Sequence, residues 1–244
     1  AEGTSSEEFY QIYHKFGYDQ AVSRASDSLS YVYRLDEKYW LMMLDSCMCE
    51  PVHETGGKLS EETTAWMKMQ LEEAKKQGVT VIPVSHHNLL DESILYPEEC
   101  TIENTKEVTA LLEAYGVPVY LSGHLHLQRI KKHTSNLNTP GGYGIREIVT
   151  SPLPMAPCQY SILNWQADGS LSYHTKKVDI AGWAQRYGEE DENLLNFDAY
   201  ADQFLVDVIS EQAFKALQSA SKDIKEEMAR LYADMNRDYC AGTK

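Results

Sequence analysis

Three apolar runs constrain this chain most: YWLMMLDS at 39–46, VTVIPVS at 79–85 and VPVYLSG at 117–123. Each is short, rich in strand formers and closed by a polar residue. Between the first two lies a segment of helical periodicity. Ser60 stands at its N-cap with Glu61 and Glu62 in the first turn, Met67, Leu71 and Ala74 form its stripe, and Lys75, Lys76 and Gly78 close it. A second helical stripe, Val108, Leu111, Leu112 and Tyr115 before Gly116, separates the second run from the third. Strand–helix–strand–helix–strand is the pattern of a sheet covered by helices, so the fold class expected is α/β.

The flanks are more varied. EFYQIYHKFG, 8–17, reads as a short amphipathic helix closed by Gly17, and SLSYVYRL, 28–35, as a strand. After residue 127 the pattern turns to strands at 145–151, 159–166 and 171–178, the last two joined by ADGS as a hairpin turn. Beyond about residue 190 the chain is charged and helical, as two helices or one long one. The expected organisation is therefore residues 1–190 as one α/β domain and 191–244 as a helical extension.

Composition excludes some functions. The net charge is -15, which opposes a nucleic-acid surface, because phosphate backbones need clustered Lys and Arg. No run is long or apolar enough to span a bilayer. A small phosphate-bearing substrate stays admissible, since a bound metal inverts local electrostatics. The five cysteines, Cys47, Cys49, Cys100, Cys158 and Cys240, have irregular spacings that make no zinc knuckle, and they read as free thiols. The chain starts at Ala1 rather than Met, as expected of a processed product or part of a larger one.

The chemistry concentrates at two strand ends. His86 and His87 follow the run 79–85, and His124 and His126 follow 117–123. In open α/β sheets ligands bind beyond the carboxyl ends of the strands. An extended backbone through GHLH would point His124 and His126 to one side, with Gly123 forming the turn. Neutral imidazoles suit Zn, Fe or Mn better than Ca or Mg. A lone H-x-H also occurs on solvated strands, and the second histidine cluster is what raises the metal reading. Asp45, at the end of 39–46, is placed either to orient a histidine N–H from outside the ligand shell or to cap the following loop. Arg129 would face a phosphate or pair with a carboxylate. His14, His53, His133 and His174 fit surface or packing roles.

VSHHNLL, 84–90, followed by LSGHLH, 121–126, resembles the last two signature blocks, V-x-x-H and G-H-x-H, of the calcineurin-like metallophosphoesterases. LMMLDS with the helix carrying Trp66, and IREIVTSPL with QYSILNW, resemble the flanks of those blocks in the cyclic-nucleotide-phosphodiesterase-like branch. The resemblance covers residues 1–180, with a weaker match of the helical tail to an accessory region of bacterial members. It implies hydrolysis of a small phosphodiester or phosphomonoester by a metal-activated hydroxide between two divalent ions. It implies His86 and His124 on one metal, His126 on the other, and His87 as a catalytic residue near the leaving group or just outside the ligands. Asn88 stands where proline often follows the pair. The branch points to an extracytoplasmic bacterial protein.

The earlier blocks of that family, D-x-H, G-D-x-x-D and G-N-H-D/E, do not occur in the chain. The resemblance therefore implies the C-terminal part of the catalytic domain, whose partner is the N-terminal half of the same domain. Two ions belong to the full-length protein, and at most one to this chain, because the bridging carboxylate is lacking. The expectation is an inactive chain, with an open sheet edge where the partner strands belong. The competing class is a non-catalytic binding or structural module with at most one His-bound metal. A mononuclear His-ligated enzyme of another fold is the third reading, and the helix–strand alternation opposes a cupin-like barrel. Specificity would reside in the loops 88–104 and 127–144, whose residues do not identify a substrate.

Overall fold

The computed structural model describes residues 4–49, 54–92, 99–133, 144–166, 168–219 and 221–243. His53 and parts of both specificity loops, 93–98 and 134–143, lie outside the described residues. The chain divides into two compact units, Ala1–His124 with Ile130–Val149, and Leu125–Arg129 with Thr150–Lys244.

The first unit is a mixed sheet flanked by helices. Its strands, in chain order, are β1 (Ser23–Arg24), β2 (Tyr31–Arg34), β3 (Tyr39–Leu44), β4 (Cys47–Met48), β5 (Glu54–Gly57), β6 (Thr80–Ser85), β7 (Val119–Ser122), β8 (Arg129–Lys132) and β9 (Arg146–Val149). Seven of them form one sheet in the order β1-β2-β3-β6-β7-β9-β8, while β4 and β5 pair separately. The three apolar runs are β3, β6 and β7, adjacent and parallel as the α/β pattern requires. Register places Leu44 opposite Ser85 and Val84 opposite Leu121, so their carboxyl ends finish near one level. β3 alternates half-buried and buried positions, with Trp40, Met42 and Leu44 turned inward.

Helix α1 (Ser6–Tyr13) stops short of the expected Gly17. It is fixed at its start by Ser5 and Glu8, whose side chains each bond the other's backbone amide. Gly17 has φ +121°, a conformation open to glycine, and leads into the turn before β1. Helix α2 (Glu61–Gln77) carries the expected signals: the Ser60 hydroxyl accepts from the Thr63 amide, and Gly78 closes the helix in the left-handed region. Helix α3 (Thr105–Ala114) buries Val108 and Leu112, with Leu111 and Tyr115 packed on the same core. That core also gathers Val32, Met67, Leu71 and Tyr120.

β2 pairs antiparallel with β3 and β1 with β2, so the sheet ends on two residues at one side. At the other it ends on β8, whose exposed Lys132 suits an edge that must not recruit another strand.

The second unit carries the hairpin β10 (Gln159–Trp165) and β11 (Leu171–Lys177), with the Gln166 amide donating to the Ser170 carbonyl at 2.8 Å; Ala167 of the expected ADGS turn lies outside the described residues. Helices α4 (Ile180–Tyr187), α5 (Glu192–Leu195), α6 (Phe197–Ala216) and α7 (Lys222–Ala241) follow, resolving the tail into two long helices. Leu205 and Val206 of α6 and Ala229, Ala233 and Cys240 of α7 are buried. Among the described residues no helix is long and apolar enough to cross a membrane.

The last turn of α7 also fastens the segment 125–129. The Gln128 amide donates to the Tyr239 carbonyl at 2.9 Å, and the Cys240 thiol donates to the His126 carbonyl at 2.9 Å.

Candidate metal centre

Because β6 and β7 are neighbours, the residues that follow them meet. The Gly123 amide donates to the His86 carbonyl at 3.1 Å, stitching the two strand ends together. The chain does not run extended through GHLH. His124 has φ +63° and His126 φ +54°, left-handed conformations that a non-glycine residue adopts only where its surroundings impose them. The extended course expected through GHLH is corrected accordingly, and alternation no longer bears on these two side chains. His124 meets His86 instead, while exposed His126 belongs to the second unit.

His86, His87 and His124 offer one nitrogen each within 4.8 Å of one another. The closest pair is His124 Nδ1 and His86 Nε2, 3.0 Å apart, with ring planes at 82°. Two nitrogens held at about 2.0–2.1 Å from one Zn ion lie roughly 2.9–3.3 Å apart for angles between square and tetrahedral. The pair therefore fits a single ion.

His87 is built differently. It is buried, its Nδ1 lies 2.8 Å from the Ser46 hydroxyl and its Nε2 3.0 Å from the Thr55 carbonyl. A carbonyl only accepts, so Nε2 carries the proton and Nδ1 takes the Ser46 hydroxyl proton. Both ring nitrogens are thereby hydrogen-bonded. Gly57 makes room for it: a Cβ there would stand 2.3 Å from the His87 Cγ. The His87 carbonyl accepts from Ser85 Oγ at 2.6 Å, which in turn accepts from the Tyr120 hydroxyl at 2.7 Å. Burial raises the Tyr120 hydroxyl far above the ordinary tyrosine range.

Asp45 accepts from the Leu29 and Cys47 amides at 3.2 Å each, which is the loop-capping alternative of its two expected roles. It shares with His86, Phe9, Tyr31 and Cys47 the wall of a cavity of about 360 Å³. Arg129 is exposed in the second unit. His14 Nδ1 lies 2.9 Å from the Gln11 carbonyl, His133 pairs with Glu113 at 2.8 Å, and His174 sits on β11. All five cysteines are free.

One residue escaped the sequence reading. Glu147 on β9 is fully buried, and its carboxylate accepts from the Leu89 amide at 2.7 Å, the Leu90 amide at 2.6 Å and the Ser122 hydroxyl at 2.5 Å. Asn88 adds Nδ2 bonds to Ser122 Oγ and the Gly123 carbonyl. The only local signal was an acid directly before the apolar pair Ile148 and Val149.

The donor set limits what the centre holds. Two imidazoles fit one ion, but the group contains no carboxylate among the described residues. Two dications about 3.5–4 Å apart need such negative charge between them, so the residues present do not fit a two-ion centre.

Residues 179–244 match the model of the C-terminal domain of cyclic nucleotide phosphodiesterase. Among solved structures, the chain is similar to a dimetal phosphatase from Danio rerio at 13% identity, covering 60% of this chain and 56% of that one with a TM-score of 0.46. It is also similar to a candidate 5′-nucleotidase from Staphylococcus aureus in complex with alpha-ketoglutarate, at 14% identity, 76% and 36% coverage and a TM-score of 0.38. The chain thus spans just over half of the first and about a third of the second. No curated protein matches it.

Proposed function

We propose that this chain, whose residues 179–244 match the C-terminal domain of cyclic nucleotide phosphodiesterase, is the histidine-bearing part of a calcineurin-like metallophosphoesterase. The observation that carries the reading is the His86–His124 pair, 3.0 Å apart beyond the carboxyl ends of adjacent parallel strands. In the full-length enzyme a pair of divalent ions, Mn, Fe or Zn, supplies Lewis-acid stabilisation to hydrolysis of a small phosphodiester or phosphomonoester. His86 and His124 hold one ion. The resemblance assigns His126 to the other. His87, with both nitrogens engaged, holds the ring packing beside them, and Asp45 shapes the loop at the rim.

The chain alone lacks the carboxylates for a second ion, so it binds at most one and turns over no phosphoester. The missing ligands come from the N-terminal half of the same domain. The test is a Mn²⁺ titration of the purified chain together with hydrolysis of bis(p-nitrophenyl) phosphate, alone and after adding the polypeptide encoded directly upstream. The expected result is one ion or fewer and no turnover alone, with two ions and turnover after addition. Turnover by the chain alone at rates typical of enzymes would overturn the fragment reading.

The absence, among the described residues, of a carboxylate from the histidine group favours a second reading, a non-catalytic binding or structural module with at most one His-bound ion. A stoichiometry that stays at one or none with the upstream polypeptide present would select it.

A further inference from the structure

We propose that Glu147 is a positioning residue for the histidine pair. Its carboxylate ties the backbone that follows His86 and His87 to the strand end that precedes His124. The inference rests on reading His86 and His124 as metal ligands.

His87 is fixed by its own packing, but His86 is exposed and His124 is only partly buried in a left-handed backbone. Their 3.0 Å separation depends on the two loops that carry them. Both loops close onto Glu147. Oε1 takes the Leu89 amide and the Ser122 hydroxyl, and Oε2 takes the Leu90 amide. Consecutive amides aimed at one acid form a concavity for negative charge, here filled from within the protein. Leu89 lies three residues after His86, and Ser122 two before His124. The carboxylate thus spans three elements: the loop after β6, the end of β7, and β9.

The sheet itself does not require an acid here. β9 joins β7 through backbone pairing from Val119 opposite Arg146 to Ser122 opposite Val149. Ile148 and Val149 beside it pack as apolar residues. A charge-bearing group shut away from water is costly unless its bonds are made, and here each bond is made to the ligand-bearing loops. Metal sites demand ligand placement within tenths of an ångström, and buried outer contacts supply it.

The test uses the purified chain and Zn²⁺ alone. Glu147→Gln is compared with Val108→Ala, a fully buried change on α3 in the same core, by calorimetric titration, thermal midpoint and hydrogen exchange at the Leu89 and Leu90 amides. The Gln variant is expected to lose at least tenfold in Zn²⁺ affinity and to deprotect both amides. The Val108 variant is expected to melt earlier with unchanged affinity. Wild-type affinity in Glu147→Gln, or an equal loss in Val108→Ala at a matched midpoint, overturns the proposal. Should the Gln variant fail to fold, Ser122→Ala takes its place, with a loss of threefold or more expected and wild-type affinity overturning. If the wild-type chain binds no Zn²⁺, the metal reading fails. Positioning is then judged on the two amides and on the His86 and His124 ring ¹⁵N shifts, which Glu147→Gln must change; unchanged values refute it.

Discussion

His124 Nδ1 stands 3.0 Å from His86 Nε2, so in the metal-free protein one of these nitrogens donates a proton to the other. An ion bound between them needs lone pairs on both. One ring must therefore move its proton to its far nitrogen.

Zn²⁺ is predicted to fix His86 with its proton on Nδ1 and His124 with its proton on Nε2. Long-range ¹H–¹⁵N correlation spectra read both tautomers directly. Spectra unaltered by saturating Zn²⁺ would contradict the pairing. His86→Ala or His124→Ala is expected to weaken binding by more than the roughly 10–100-fold that loss of an outer partner costs. His133→Ala, whose ring pairs with Glu113, is expected to leave binding unchanged.

Gly57→Ala is predicted to destabilise the fold. Its Cβ would lie 2.3 Å from the His87 Cγ, and the ring is held by Ser46 and Thr55. Overpacking of this kind costs about 1–3 kcal/mol. Urea unfolding reads the change, and a midpoint equal to wild type would show that the ring moves aside freely.

Stability is predicted to carry a Glu147 signature in pH. Burial raises its carboxyl above the ordinary value of 4.5, outweighing the hydrogen bonds that oppose the rise. The folded state therefore holds the proton more tightly than the unfolded one. That contribution is fully present below pH 4.5 and is lost as pH rises through the folded value. The stability difference between wild type and Glu147→Gln should fall across that window. A difference independent of pH would mean that the carboxyl titrates as in the unfolded chain.

Alkylation is predicted to divide the cysteines. Cys240 is buried, its thiol donates to the His126 carbonyl, and burial pushes it up to about 11. Cys47 and Cys49 are exposed. At pH 8, iodoacetamide mapped by mass spectrometry should label Cys47 and Cys49 first and Cys240 only on unfolding. Early labelling of Cys240 would mean that the end of α7 opens readily.

The parallel strands were legible because each apolar run is bounded by a cap or a turn, as at Ser60 and Gly78. The histidine clusters were legible because they stand at the ends of those runs. Three features were not. β2 looks like any strand, and nothing local says that it runs antiparallel to β3. Glu147 lies in a stretch where Glu147, Ile148 and Val149 are all buried, so alternation between faces carries no information there. The left-handed φ of His124 and His126 occurs in the segment where the strand end is linked to the His86 carbonyl and the following residues are bound by α7, partners remote in sequence. Pattern reaches a few residues along the chain, and these features depend on residues much farther away.

The bond from Cys240 to the His126 carbonyl joins positions 114 residues apart. At about 5–20 residues per second, a ribosome needs on the order of ten seconds to make that stretch. Throughout that interval the His126 carbonyl and the Gln128 amide wait for the partners that α7 brings, and β9, the last strand of the seven-stranded sheet, is made well before it ends. Residues 126–128 are thus among the last pieces of the nascent protein to be fastened. A message cut short before Tyr239 would yield a chain whose strands are all encoded but whose Gln128 amide never meets its acceptor.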